Sequence, residues 1–251
     1  MSVILEARGV TVEYGRGRHR VIALDSADLA VRAGESVGIV GESGSGKTTL
    51  ARALVGLVPP SAGQILLDGA PVGRRRSRTQ IRSLQMVYQD PSSSLNPSMR
   101  VGQMLTELLR YHRVVPPGEV RERSFALLEM VGLPASAHDA RPRDLSGGQR
   151  QRVGIARALA LEPSVLIADE SVAALDVSVQ AAILNLLIDL RDRLGLTLLF
   201  ISHDLSVIRH ISDRVVVMRD TRILDDRPAV ELFGDPSHPY TRELLAAAPH
   251  L

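Results

Sequence analysis

The residues Gly41-Glu42-Ser43-Gly44-Ser45-Gly46-Lys47-Thr48 constrain this chain more than any other segment. They follow a short apolar run, Ser36–Val40, and open a helix-forming stretch, Lys47–Leu57. The spacing G-x-x-x-x-G-K-[ST] between a strand and a helix lets the backbone curl with its N–H groups pointing inward. The helix that follows adds its positive N-terminal end. A Gly-rich strand-to-helix turn without a ligand is the plain alternative, but the lysine argues against it. Among 30 Lys and Arg residues, Lys47 is the only lysine. It supplies a mobile charge for the β- and γ-phosphates, and Thr48 offers a hydroxyl to Mg²⁺. Gly41, Ser43, Gly44, Ser45, Gly46, Lys47, Thr48 and Thr49 are therefore candidate contacts of a nucleoside triphosphate.

The rest of the chain alternates accordingly. Val3–Ala7 and Gly9–Tyr14 read as two short strands, Gly15–Arg18 as a loop, and a further strand lies near Ser26–Val31. Pro59-Pro60 ends the first helix, and Ile65–Leu67 is a strand closed by an Asp68-Gly69 turn. Val101–Arg110 and Glu119–Val131 are amphipathic helical stretches. Beyond them, strands at Val165–Ala168, Thr197–Ile201 and Arg214–Met218 alternate with helices at Val179–Leu194 and Leu205–Ile211. That alternation predicts an α/β fold with a parallel sheet covered by helices. A short tail from Pro228 is helical at Tyr240–Ala248.

Composition removes several function classes. Cys is absent, which excludes disulfides, thiolate metal sites and cysteine-ligated clusters. The formal net charge is only +2, so charge does not imply nucleic acid. The run Arg74-Arg75-Arg76-Ser77-Arg78, with Arg82, reads as a solvated face. His112, His138 and His238 lack metal-ligand spacing. Met1–Glu6 has no basic segment leading into an apolar one, and no apolar run approaches the roughly 20 residues of a membrane span. The expectation is a chain soluble on its own, with any membrane role exerted through a partner.

Two further segments narrow the chemistry. Val165-Leu166-Ile167-Ala168-Asp169-Glu170 is an apolar strand ending in two carboxylates. Asp169 can hold Mg²⁺ through water, and Glu170 can polarise a water in line with the γ-phosphate. Leu145-Ser146-Gly147-Gly148-Gln149 precedes a helical run and offers a second anion nest of hydroxyl and backbone N–H groups. One chain needs only one phosphate cradle. A second makes sense if it closes on the nucleotide of another subunit.

With LSGGQ in this position, the sequence resembles the ABC ATPase family over almost its whole length. The resemblance implies a P-loop NTPase core of mixed sheet and flanking helices, interrupted by an ABC-type helical subdomain. The implied division is 1–89 and 161–227 for the core, 90–160 for the subdomain and 228–251 for the tail. It implies ATP as substrate, Mg²⁺ as cofactor, and a head-to-tail pair in which Ser146, Gly147, Gly148 and Gln149 of one subunit cover the nucleotide of the other. Tyr14 resembles the aromatic that stacks on adenine, and Gln89 the glutamine that reaches Mg²⁺ and senses the membrane partner. Asp176 matches the loop along the dimer seam, and His203 the histidine that contacts the γ-phosphate. The partners implied are a second ATP-binding subunit, identical or paralogous, two integral membrane permease subunits and a solute-binding protein at one remove. The implied location is peripheral, on the cytoplasmic face of the inner membrane. Ser171 and Ala174 depart from the Pro and Ser usual at their places, which affects the seam rather than the catalytic groups.

Three stretches are similar to the peptide/nickel importer subfamily: Tyr88–Pro91 with Ser94–Pro97, Leu175–Gln180, and Asp235–Leu245. The short, Cys-free tail leans toward its nickel- or metallophore-type branch. Two rival readings fit less well. Soluble ABC ATPases of translation or DNA repair usually carry two cassettes or a long coiled-coil insertion, and neither is present. A non-hydrolysing scaffold subunit would not need Glu170 and His203.

Overall fold

The computed structural model describes residues 2–15, 17–73, 75–90, 95–172 and 175–247. Met1, Arg16, Arg74, Pro91, Ser94, Ala174 and Ala248, all within stretches named above, lie outside them.

Two sheets make the frame. A six-stranded sheet has the order β10-β9-β3-β8-β7-β6. Its members are β3 (Ser36–Val40), β6 (Leu84–Val87), β7 (Val165–Asp169), β8 (Thr197–Ile201), β9 (Arg214–Arg219) and β10 (Arg222–Pro228). All neighbours run parallel except β10, which returns antiparallel to β9. The second sheet, β2-β1-β4-β5, is antiparallel and consists of β1 (Val3–Tyr14), β2 (Val21–Arg32), β4 (Ala62–Leu67) and β5 (Ala70–Pro71). The whole is a mixed α/β fold.

The parallel strands are apolar on both faces because both faces are covered. Val165, Ile167, Leu199, Ile201, Val216 and Met218 join the core facing the antiparallel sheet and α1 (Lys47–Val55). Their alternates Leu166, Ala168, Leu198, Phe200, Val215 and Val217 join the core on the other face. That second core is completed by α3 (Val101–His112), α4 (Val120–Met130), α5 (Gly147–Leu159), α6 (Val177–Leu194) and α7 (Leu205–Ile211). Period-two alternation thus feeds two separate cores from one set of strands. Between β6 and β7 the described chain forms only helices and turns.

Several expectations shift in detail. β1 is one continuous strand, bulged where Gly9 takes φ +56°, because register slips absorb the glycine without breaking the pairing. The loop after it contains a 3₁₀ turn at Gly17–His19. The helix α1 stops at Val55, before the prolines, because Gly56 adopts a left-handed cap whose amide returns to Ala53. The strands β6 and β10, the short helix α2 (Arg78–Ser83) and the helix α8 (Ala229–Gly234) were not expected. The tail helix α9 spans Pro239–Ala246.

Arg214 ties the sheets together. Its guanidinium donates to Glu35 Oε1 at 2.7 Å, to Asp226 Oδ2 at 2.7 Å and to the carbonyl of Ala30 on β2 at 2.5 Å. The side chains of Arg214 and Glu35 are only 14% and 10% exposed. Burial by itself would raise the Glu35 pKa, but hydrogen bonds from Arg214 and from the Arg32 amide outweigh it and leave the pKa lowered. Because the folded pKa lies below the unfolded one, this contribution to stability is whole above the ordinary carboxylate range and is lost as pH falls through the folded pKa. We expect Arg214→Ala, which strands Glu35 in this low-dielectric setting, to cost about 2–4 kcal/mol at neutral pH. The penalty should shrink on acidification, as read from urea unfolding across a pH series. A penalty independent of pH would contradict the assignment.

Candidate functional site

The carboxyl ends of the parallel strands converge where open α/β sheets bind ligands. Gly41 leaves β3, Asp169 ends β7, and Gln89 and His203 follow β6 and β8 closely.

The phosphate loop is shaped by backbone that only glycine tolerates. Gly41 has φ +149°, and a Cβ there would lie 2.0 Å from the Met218 carbonyl oxygen. Gly46, at φ +100°, would bring a Cβ to 2.9 Å from the Ala23 oxygen, and Gly44 has φ +82°. Lys47 lies in the concavity, 6% exposed. Its Nζ donates to the carbonyls of Gly41 at 2.8 Å and Glu42 at 2.7 Å, with Ser45 Oγ at 3.4 Å. Burial lowers its pKa, opposed by the charges of Glu170, Asp169 and Glu42. The cation is thus held by neutral oxygens and remains available to an anion.

Thr48 donates from its hydroxyl to Asp169 Oδ1 at 3.2 Å. Asp169 is buried, and burial raises its pKa, with the Thr48 hydrogen bond acting the other way. Glu170 follows with φ +44°, an uncommon conformation for a residue with a Cβ, while its amide donates to the Ile201 carbonyl at 2.9 Å. Local strain of this kind persists where the surroundings over-determine it. The carboxylate of Glu170 is flanked on both sides. Gln89 Nε2 donates to Oε2 at 2.9 Å, and His203 Nδ1 lies 3.4 Å from Oε1.

An open cleft of about 340 Å³ lies over the glycine loop, Lys47, Thr48 and Glu170. Its walls include Ser43, Gly44, Gly46, Lys47, Thr48, Thr49 and Glu170, and opposite them Val21, Ile22, Ala23 and Thr221. The last four were missed in the sequence. Val21 and Ile22 are exposed apolar residues at a strand start, the one signal that could have suggested them. Tyr14, 43% exposed at the end of β1, pairs in register with Val21 and so stands beside this wall.

The second anion nest lies apart. Ser146 caps α5, accepting from the Gln149 amide at 3.3 Å while Gln149 Oε1 accepts from the Ser146 amide at 2.9 Å. The glycines let α5 press on the start of α6: a Cβ at Gly148 would meet Val179 Cγ1 at 2.6 Å, and one at Gly147 would meet Leu175 at 3.4 Å. Asp176 caps α6, accepting from the Val179 amide at 3.0 Å and the Ser178 hydroxyl at 2.7 Å. These bonds, the Val179 amide foremost, lower its pKa. None of Ser146–Gln149 is among the described walls of the cleft in their own chain. Beside Gln89, a cavity of about 220 Å³ opens between β6, α3 and α5, lined among others by Leu84, Tyr88, Leu108 and Arg157.

Comparison with known proteins agrees with this geometry. The ABC transporter family profile matches residues 24–173. The chain is 45% identical over 251 residues to the oligopeptide transport ATP-binding protein AmiF of Streptococcus pneumoniae, covering 98% of this chain and 82% of that one. It is 43% identical to the oligopeptide transport ATP-binding protein OppF of Streptococcus pyogenes, with the same coverage of 98% and 82%. Among solved structures it resembles a dimeric ATP-binding cassette in a post-hydrolysis state bound to ADP and Pi. That match has a TM-score of 0.80 and 29% identity, over 90% of this chain and 99% of the other. No described helix is long and apolar enough to cross a membrane. A phosphate cradle, paired carboxylates and a separate second nest, in a chain this similar to known cassettes, lead to one conclusion: the chain belongs to the ABC transporter family and is an ATP-binding, ATP-hydrolysing subunit.

Proposed function

We propose that this subunit powers import of peptides, as a head-to-tail pair at the cytoplasmic face of the inner membrane. The relatives named for oligopeptide transport support that cargo class over nickel. The observation that carries the catalytic reading is the Glu170 carboxylate, held between Gln89 and His203 beside Lys47 and the Thr48–Asp169 pair.

In this reading Gly41–Thr49 cradle the phosphates through backbone N–H groups, and Lys47 turns from loop carbonyls toward the terminal phosphate. Glu170 orients the attacking water and accepts its proton, and His203 meets the charge that develops on the transferred phosphoryl. Tyr14 stacks on the base from the edge of the cleft. Ser146, Gly147, Gly148 and Gln149 act on the nucleotide of the partner, with Asp176 at the seam, where it also caps α6. The residues fit Mg²⁺: a hydroxyl, Thr48, lies beside a buried carboxylate, Asp169, with Gln89 nearby. No cluster of three or more acidic or histidine ligands occurs among the described residues, which suits a cation completed by phosphate oxygens and water. When bound, the ion neutralises charge on the β- and γ-phosphates.

We further propose that residues 90–160 act as a subdomain that carries the second nest and passes its movement to two permease subunits. The cavity beside Gln89 would be the docking place. The division 1–89, 161–227 and 228–251 for the remainder follows the same reading. A solute-binding protein would deliver cargo on the far side, and nucleic acid has no role.

Replacing Glu170 with Gln keeps the hydrogen-bonding shape but removes the base. We expect turnover to fall about 100-fold or more, with an ATP-bound dimer accumulating on size exclusion. Unchanged turnover would overturn the catalytic assignment. Gly41→Ala forces a Cβ into the Met218 carbonyl, so binding of a fluorescent ATP analogue should weaken by at least about tenfold while the far-UV spectrum is kept. Wild-type binding by that variant would contradict the cradle.

A further inference from the structure

The turn between β9 and β10 holds a residue that its backbone does not favour. Arg219 and Arg222 pair across it, so Asp220 and Thr221 are its two central residues. Both have positive φ, +47° and +68°, as a tight hairpin turn requires. Asparagine or aspartate followed by glycine suits such a turn best, because a β-branched side chain crowds its own backbone at positive φ. Among the described residues, Thr221 is the only β-branched one in this conformation. Glycine would relieve the strain, yet threonine stands there.

Its surroundings point to what the side chain does. The Thr221 carbonyl accepts from the Asp25 amide of β2 at 2.8 Å, and Arg222 donates from Nε to Asp25 Oδ2 at 2.7 Å. These two bonds pin the turn to β2. Thr221 lines the cleft over the glycine loop, together with Ser43, Gly46, Lys47 and Thr49. Its hydroxyl makes no hydrogen bond among the described residues. Landmarks along β2 then order the cleft. Val21 pairs with Tyr14, the Ala23 carbonyl lies against Gly46, and Asp25 holds Thr221. At about 3.3 Å per residue, Thr221 sits about 13 Å along the strand from the Tyr14 end, beyond the phosphate loop. With the base at Tyr14, the triphosphate is the part of the nucleotide that comes beside it. A hydroxyl kept in a strained conformation on the wall of an anion site is placed as a donor to that anion.

We propose that Thr221 is a further nucleotide-binding residue, whose hydroxyl donates to a phosphate oxygen of bound ATP from the wall opposite the glycine loop. The unfavourable turn is retained because it presents this donor. The inference rests on the reading of Gly41–Thr49 as the phosphate cradle and adds one contact to it.

Isothermal titration of the full chain with a non-hydrolysable ATP analogue and Mg²⁺ tests this. Thr221→Val keeps the β-branched shape and removes only the hydroxyl, so the Kd should rise about three- to tenfold. Thr221→Ser keeps the hydroxyl and should bind within about twofold of wild type. Thr221→Gly removes strain and donor together. Its Tm without nucleotide should rise by about 2–4 °C while its Kd rises as in Thr221→Val. A residue that only shaped the turn would leave the Kd unchanged in Thr221→Val, and that result would overturn the proposal. Inorganic tripolyphosphate, which has neither sugar nor base, should lose affinity for Thr221→Val by the same factor. A loss confined to the ATP analogue would put the contact on the sugar and overturn the proposal as well. Lys47→Ala separates the two levels. If it abolishes binding while Thr221→Val is silent, the inference about Thr221 alone fails. If Lys47→Ala binds normally, the cradle reading falls and the inference falls with it.

Discussion

An ammonium group removed from water needs oxygen around it, and Lys47 finds that oxygen in the loop that carries it. The carbonyls of Gly41 and Glu42 can reach Nζ only because the chain turns back on itself directly after β3. That turn in turn requires backbone angles closed to other residues at Gly41, Gly44 and Gly46. The loop is braced from behind by Met218 on β9 and by Ala23 on β2, so both sheets contribute to its shape. Arg214 fastens these same sheets to each other close to the other end of β9. Much of the frame can be understood as what holds one buried cation in place without cancelling its charge.

The second half of the site depends on how strands end. β7 delivers Asp169 buried and Glu170 kinked into a left-handed conformation, so two consecutive carboxylates take different environments. One lies beside Thr48 and has its pKa raised by burial; the other is bracketed by an amide and an imidazole. Adjacent acids on a regular strand would point to opposite faces. Here the kink at Glu170 separates the two: Asp169 stays buried beside Thr48 while Glu170 lines the cleft, the difference on which the proposed roles of cation ligand and base rest.

Where a physical signal was strong, the sequence was legible. β3, β8 and α7 lie within the bounds that apolar runs and periodicity predict, and the Gly-Lys-Thr spacing marked the glycine turn between β3 and α1. β6 and β10 were missed for opposite reasons: Leu84–Val87 is too short to show a period, and β10 carries paired aspartates that suit an edge. Gln89 and His203 carry no signal of their own. Each stands alone after a strand, and only the resemblance singled them out before the fold brought both to Glu170. The walls Val21, Ile22 and Ala23 are ordinary strand residues whose role comes from tertiary placement. The capping by Ser146 and Asp176 shows why motif residues are hard to rank, since each also has a local task in starting a helix.

In the proposed function these parts are joined by a catalytic pocket divided between two chains: cradle, carboxylates and Gln89 from one, Ser146–Gln149 from the other. Mixing two inactive variants asks this directly. Lys47→Ala spoils the cradle and Ser146→Arg spoils the nest, so each homodimer lacks every intact pocket. A mixed pair rebuilds one pocket from the undamaged halves. The account predicts that an equimolar mixture recovers ATPase activity absent from either variant, up to about a quarter of the wild-type rate for random pairing. A mixture as inactive as its components, with mixed dimers shown to form, would contradict it.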